Sequence, residues 1–254
     1  IVAHRGASAA APENTLAAFR RAWELGVECV ELDVRLTRDG QVVVIHDDST
    51  RRTAGLDRKV ADQTLAELRT LDVGAWKDAR FAGERLPTLG EALDTVPPGG
   101  TLFVEIKTSA ATAATVAAAI RAADPAARGG QVAIQGYDLE AVLALARLLP
   151  GVSSYWDVDP PLEHATRRPL PYPHGVIADA VAAGVTGLAL DVRGVDEGFV
   201  TAARAAGLEV DVWTVNDAEQ LHLWLGRDVR WIETDRPDVA PASASPRRKH
   251  DGEE

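Results

Sequence analysis

Short runs of β-branched and aromatic residues recur along the chain, and each is followed by a stretch rich in Ala, Leu and Arg whose apolar positions repeat at a helical period. The spacing predicts strands at 1–3, 28–34, 102–106, 132–135, 152–156, 187–191, 209–213 and 230–233. Strand–helix alternation predicts parallel pairing, and eight repeats predict closure into a (β/α)8 TIM barrel rather than an open sheet. Helix boundaries are marked too. Thr88 with Glu91, and Asn216 with Glu219, have the spacing of a capping box. Asp138 and Asp196 read as N-caps, and Gly207 reads as a helix stop.

The rhythm breaks twice. Residues 47–87 are too long for a simple connection and predict a small insertion between the second and third barrel strands. After Pro237 the chain turns polar and loses all apolar period. The organisation expected is one barrel domain over 1–237, with the insertion at 47–87 and a polar tail over 238–254.

Composition narrows the function classes. Over 254 residues, 46% hydrophobic and 26% charged content excludes a disordered chain. The single cysteine, Cys29, excludes a disulfide framework and is compatible with a reducing compartment. No apolar run approaches the ~20 residues of a membrane span, so no integral membrane segment is expected. A net charge of −11 argues against a nucleic-acid partner. A small anionic partner requires local cations or a metal to reverse that field. The chain opens on Ile1 and holds no methionine, so the translation start and any targeting segment are expected upstream.

Catalytic groups of a barrel sit at the C-terminal ends of its strands. The first strand ends in His4-Arg5-Gly6, the second carries Glu31-Leu32-Asp33, and the third carries Glu105-Ile106-Lys107. Residues two apart on a strand share a face, so Glu31 projects with Asp33 and Glu105 with Lys107. Cys29 either faces away from Glu31 or, by parity, lies on the barrel side, and in both placements it reads as a small packing residue. Next, Thr37-Arg38-Asp39-Gly40 between apolar runs predicts a hairpin. With Asp39-Gly40 as a two-residue loop, Arg38 pairs with Gln41 and Asp33 lies opposite His46; a slip of one residue still leaves His46 beside the carboxylates. Three carboxylates at one mouth repel unless a cation neutralises them. All-oxygen ligation suits one divalent Mg2+ or Ca2+. Arg5 and Lys107 add positive charge for an anion, and two histidines can exchange protons near neutral pH. That combination describes a site for hydrolysing a phosphodiester. Trp213, at a strand end, is a candidate to pack the substrate, and Glu13 is a further substrate-binding candidate. Asn14 reads as a helix N-cap. Trp23, Trp76, Trp224 and Trp231 read as core or helix–barrel packing, and His164, His174, His222 and His250 lack convergent partners.

Taken in order, His4-Arg5-Gly6, Pro12-Glu13-Asn14-Thr15, Glu31-Leu32-Asp33-Val34, Asp39-Gly40, His46-Asp47, Pro87-Thr88-Leu89, Glu105-Ile106-Lys107, Trp213-Thr214-Val215-Asn216 and Thr234-Asp235-Arg236-Pro237 resemble the glycerophosphodiester phosphodiesterases. The resemblance implies a TIM barrel with a small capping insertion after His46 and a metal held by Glu31, Asp33 and Glu105. It also implies acid–base work by His4 and His46, and phosphate contacts by Arg5 and Lys107. The reaction implied is hydrolysis of a glycerophosphodiester to sn-glycerol 3-phosphate and an alcohol. Gly136-Tyr137 replaces the Ser-Phe often seen in the family, and 157–175 matches no family pattern. Two other readings are a phospholipase D-like enzyme acting on lysolipids or sphingolipids, and a non-catalytic phosphate-binding protein. The former calls for an apolar groove that the polar insertion does not advertise. The latter calls for the loss of a histidine or carboxylate, and all five are present. Oligomeric state does not follow from these residues.

Overall fold

The computed structural model describes residues 1–123 and 131–240. The chain enters through β1 (Val2–Ala3), α1 (Leu16–Glu24) and the hairpin of β2 (Cys29–Leu36) and β3 (Val42–Val44). Short helices α2 (Arg51–Ala54), α3 (Leu65–Leu68) and α4 (Leu89–Leu93) follow. Regular alternation then runs β4 (Thr101–Ile106), α5 (Ala113–Ala123), β5 (Val132–Gly136), α6 (Leu139–Leu148) and β6 (Ser153–Val158). It continues through α7 (Gly175–Ala183), β7 (Gly187–Asp191), α8 (Glu197–Ala205), β8 (Glu209–Trp213), α9 (Ala218–Leu225) and β9 (Trp231–Thr234).

All strands but β3 pair in parallel, and the sheet closes because β1 pairs with both β2 and β9. This is the (β/α)8 TIM barrel. Each expected strand lies within two residues of the observed one, because strands buried on both faces read as apolar runs. Two apolar clusters pack helices against the outside of the barrel, around Phe19 and Leu32 on one flank and Phe199 and Val210 on the other. A third cluster fills the barrel floor with Val2, Cys29, Phe103, Ala133, Tyr155 and Ala189, which places Cys29 on the inner face. No helix of the described residues is long and apolar enough to cross a membrane.

Between β3 and α4 the chain folds over its own cluster of Val43, Ile45, Val60, Leu68, Val73 and Leu86. Lys77 and Arg80 reach from this segment to the carbonyls of Ser8 and Ala10, 2.7 and 3.1 Å away, so it sits on the loop that leaves β1. Residues 241–254, including His250 and most of the expected tail, lie outside the described residues.

Four local expectations are corrected. The hairpin loop has three residues, Arg38-Asp39-Gly40: Thr37 pairs with Gln41 and Val34 with Val44, which sets Ile45 rather than His46 opposite Asp33. Gly40 takes the left-handed conformation (φ 74°) that closes a three-residue turn. Thr15, not Asn14, caps α1 by accepting from the Ala18 amide. Asp217, not Asn216, caps α9. In both helices the asparagine one residue earlier is drawn instead to a carboxylate of the site, where its amide can both donate and accept. Trp76 is 41% exposed and outside the insertion's apolar cluster, its indole N–H donated to the Val73 carbonyl, a local bond that holds the ring at the surface.

Gly6 is the tightest backbone position near the mouth. It has φ 81°, and a Cβ there would lie 2.7 Å from the Ala18 carbonyl carbon. Gly40 has a similar φ, but a Cβ added to it would meet nothing within 4 Å. Gly6→Ala is therefore expected to lower unfolding free energy by about 2 kcal/mol or more, and Gly40→Ala by about 1 kcal/mol. Equal losses in urea unfolding would mean that the contact with Ala18 carries no weight.

Candidate active site

The strand ends build the site in layers. Cross-strand register aligns Asp33 with Glu105 and Glu105 with Gln135, so the second, third and fourth barrel strands deliver polar groups at one level. Where β1 ends, His4 donates its amide to the Thr234 carbonyl at 2.9 Å. Arg5 follows in the left-handed region (φ 56°) and turns its amide onto Glu31 Oε2 at 2.8 Å. This unusual backbone gives a buried carboxylate a donor that no side chain has to supply.

Glu31 and Asp33 are fully buried and Glu105 nearly so. Each offers an oxygen, and these oxygens lie within 4.8 Å of one another. Glu31 Oε1 has no hydrogen-bond partner. Lys107 Nζ sits 3.2 Å from Asp33 Oδ1 and 2.5 Å from Glu105 Oε1, and Arg5 Nε lies 3.4 Å from Asp33 Oδ2. Asn14 completes the setting of Asp33, donating to Oδ2 at 2.7 Å and accepting the Asp33 amide at 3.2 Å. Titration separates the three acids. Burial, reinforced by Asp33 and Glu105, pushes Glu31 well above the ordinary carboxylate range. Burial and then Asp33 push Glu105 up to about 7. Asp33 is itself desolvated, yet Lys107 and Arg5 hold it below the usual range. Three converging oxygens, one of them orphaned, fit a hard divalent cation in donor type and placement.

The two histidines flank this trio, each with Nδ1 on a carboxylate. His4 Nδ1 lies 2.7 Å from Asp235 Oδ1 and His46 Nδ1 lies 2.7 Å from Asp47 Oδ1. A carboxylate partner favours the hydrogen on Nδ1, which leaves Nε2 as the unprotonated nitrogen of a neutral ring. Asp235 also accepts from Ser8 Oγ at 3.0 Å and from Asn216 Nδ2 at 2.6 Å. Burial works to raise the Asp235 carboxyl, but hydrogen bonds led by His4 outweigh it and hold it at about 2. Asp47 is held at about 2 mainly by Arg52, whose Nε donates to Oδ2 at 2.7 Å. For His46, burial lowers the pKa, with Arg5 and Lys107 adding to the shift and Asp33 and Asp47 opposing it. Arg35 Nε donates to the His46 carbonyl at 2.8 Å, so the one-residue shift in hairpin register still leaves this ring at the mouth.

Six of the residues singled out in the sequence, His4, Arg5, His46, Glu105, Lys107 and Trp213, line one cleft, with Glu31 and Asp33 buried beside it. The Trp213 ring stands edge-on to Tyr137, with centroids 6.2 Å apart. Glu13 lies outside that cleft. It accepts from Arg5 Nη1 at 2.9 Å and from Arg52 Nη1 at 2.6 Å, which makes it a partner of cations rather than a free wall group. Asp235 and Asp47 stand inside the quoted motifs but carry no individual signal, and Asn216 carries only that of a helix cap. Sequence reasoning also passed over Arg35, Arg52, Gln135, Asp157 and Glu233. The last three were accessible through strand parity, since a polar residue at an inward position of a central strand needs a reason to be there.

Fold and site together define a (β/α)8 barrel with its buried and half-buried polar groups gathered at the C-terminal mouth. The model of the glycerophosphoryl diester phosphodiesterase family matches residues 4–239, and the chain belongs to that family. A glycerophosphodiester phosphodiesterase of Caldanaerobacter subterraneus is 51% identical over 96 residues, which is 38% of this chain and 40% of that protein. A Bacillus subtilis relative is matched over 44% of its length, so the chain's matched stretch spans under half of each of these two. The glycerophosphodiester phosphodiesterase of Bacillus subtilis is 26% identical over 94% of this chain and 84% of its own. Among solved structures, an Oleispira antarctica phosphodiesterase in complex with the product sn-glycerol-3-phosphate superposes with TM-score 0.79 at 28% identity, covering 94% of both chains. A glycerophosphodiester phosphodiesterase from Agrobacterium tumefaciens gives TM-score 0.75 at 28% identity, over 94% of this chain and 96% of that one.

The depressed carboxyl of Asp235 has a consequence for stability. Its contribution is fully present above the unfolded value of ~3.9 and is lost as pH falls toward about 2. Asp235→Asn should therefore show a larger stability deficit against wild type at pH 7 than at pH 3 in urea unfolding. The same deficit at both pH values would show that the charge on Asp235 does not matter.

Proposed function

We propose that the protein is a metal-dependent phosphodiesterase that hydrolyses glycerophosphodiesters to sn-glycerol 3-phosphate and an alcohol. The observation that carries this reading is the pairing of two carboxylate-anchored histidines across a buried carboxylate trio, with Arg5 and Lys107 in the same cleft. Glu31, Asp33 and Glu105 would hold one divalent cation, Mg2+ or Ca2+. When bound, that ion supplies charge neutralisation for the trio and Lewis acidity toward a phosphoryl oxygen.

The chain's own residues do the rest. Arg5 and Lys107 attract and orient the phosphate anion, and electrostatic complementarity to its developing charge is the largest help such groups give. His4, with Nδ1 tied to Asp235, presents Nε2 to take the proton of the nucleophile, either water or the glycerol 2-hydroxyl. His46, with Nδ1 tied to Asp47, presents Nε2 to protonate the departing alcohol. As each ring gains charge, the carboxylate behind it stabilises the imidazolium, and it prevents the ring from turning away. Trp213 would pack against the organic part of the substrate. Glu13 acts through Arg5, holding the guanidinium at the cleft. The family relationship supports the reaction class, and the product complex of the Oleispira antarctica relative supports glycerol 3-phosphate as a product of this type of barrel.

Two expectations test this reading. Chelation should abolish turnover of glycerophosphocholine, with recovery on adding Mg2+ or Ca2+, and Glu31→Ala should not recover. Retained activity of Glu31→Ala in chelator would reject the metal assignment. His46→Ala should lose roughly 10²–10⁴-fold on glycerophosphocholine but far less on a diester with a p-nitrophenolate leaving group, which departs without a proton, whereas His4→Ala should lose on both. The opposite pattern would exchange the two roles. Glycerophosphoethanolamine and lysophosphatidylcholine, assayed beside these, separate the glycerophosphodiesterase from a lysolipid-cleaving enzyme.

A further inference from the structure

The barrel holds more buried acceptors than the chemistry above uses. Asp157, near the end of β6, is 3% exposed and lines the same cleft as His4 and Glu105, yet neither of its carboxylate oxygens has a hydrogen-bond partner. Gln135, on the neighbouring β5, is 1% exposed and lines the cleft as well. Its Nε2 donates to Glu233 Oε1 at 3.1 Å, which leaves Gln135 Oε1 as a second buried acceptor without a donor. The strand register pairs Gln135 with Tyr155, so Asp157 is its diagonal neighbour on the same inner face. Acceptors buried without donors are costly, and a cleft wall made of them calls for a ligand that brings hydrogens.

We propose that Asp157 and Gln135 form a hydroxyl-recognition subsite that accepts hydrogen bonds from the two free hydroxyls of the substrate's glycerol moiety. The inference rests on the glycerophosphodiesterase reading given above, with water as the nucleophile, because a 2-hydroxyl whose proton goes to His4 has none to give here. A vicinal diol supplies one donor to each acceptor. An ammonium headgroup fits less well, because Lys107 already brings a cation to this cleft and a second would be stripped of water beside it. A quaternary ammonium, moreover, has no N–H to give to the Gln135 carbonyl.

The test compares two ligands that differ only in those hydroxyls, sn-glycerol 3-phosphate and propyl phosphate, by calorimetry on the full chain in Mg2+. Wild type should prefer glycerol 3-phosphate. Burial, reinforced by Glu105, pushes the Asp157 carboxyl well above the ordinary range, so its bond is one to an uncharged acceptor. Asp157→Leu, which removes that acceptor, should reduce the preference roughly 3- to 10-fold, with propyl phosphate affinity unmoved. Gln135→Met should reduce it in the same direction by a similar factor. Because Asp157 has no partner in the free protein, Asp157→Leu should also melt no lower than wild type, which keeps the binding result interpretable. An unchanged preference or a parallel loss for both ligands would overturn the subsite. Wild-type hydrolysis of glycerophosphocholine is measured alongside. Hydrolysis with no effect of either variant on preference rejects the subsite alone, while absence of hydrolysis of any glycerophosphodiester rejects the reading beneath it.

Discussion

Several carboxylates buried at one mouth of a barrel are held apart from water and close to each other, and much of the local structure answers that electrostatic load. Glu31 receives a backbone amide because Arg5 adopts a left-handed conformation, and Arg5 can do so only where the chain turns sharply through Gly6 against α1. Asp33 receives Asn14, Arg5 and Lys107 together. The outcome is an uneven division of charge, with Asp33 held toward its ionised form and Glu31 and Glu105 pushed toward protonation. Strain and ion pairing at this end are offset by the packing of the apolar floor and the two outer clusters.

The same load links the insertion to the site. Arg52, on α2, reaches Glu13 with both Nη atoms and Asp47 through Nε, so a single guanidinium bridges the partner of Arg5 and the partner of His46. Lys77 and Arg80 reach the carbonyls of the loop after β1. The insertion thus touches the machinery through charge-assisted bonds to groups one step removed from the cleft, and it packs through its own small core. Its exposed Trp76 stays outside both arrangements.

Strand positions, barrel closure and the convergence of His4, His46, Glu31, Asp33, Glu105, Arg5 and Lys107 on one mouth were legible in the order of residues. The reason is local: strand parity assigns faces, buried parallel strands are unmistakably apolar, and charges at their ends stand out against that background. The hairpin was legible in kind but not in register. A two-residue and a three-residue turn share the Asp-Gly signature, and pairing along β2 and β3 decides between them. Asn14 and Asn216 carried cap signals that were overridden, because a buried carboxylate nearby offers an amide a stronger partner than a helix end does.

What the sequence determined by itself is therefore the barrel, the mouth at which polar residues converge and the residue types gathered there, all properties of spacing along one chain. Tertiary structure decided which carboxylate stands behind which histidine, which acid is ionised, and that Asp157 and Gln135 face the cleft without donors. Asp235 is separated from His4 by nearly the whole chain, and Arg52 from Glu13 by an entire hairpin. Contacts of that kind have no signature in local spacing, and both the pKa of a buried acid and the satisfaction of a buried acceptor depend on every neighbour that folding brings within a few ångströms.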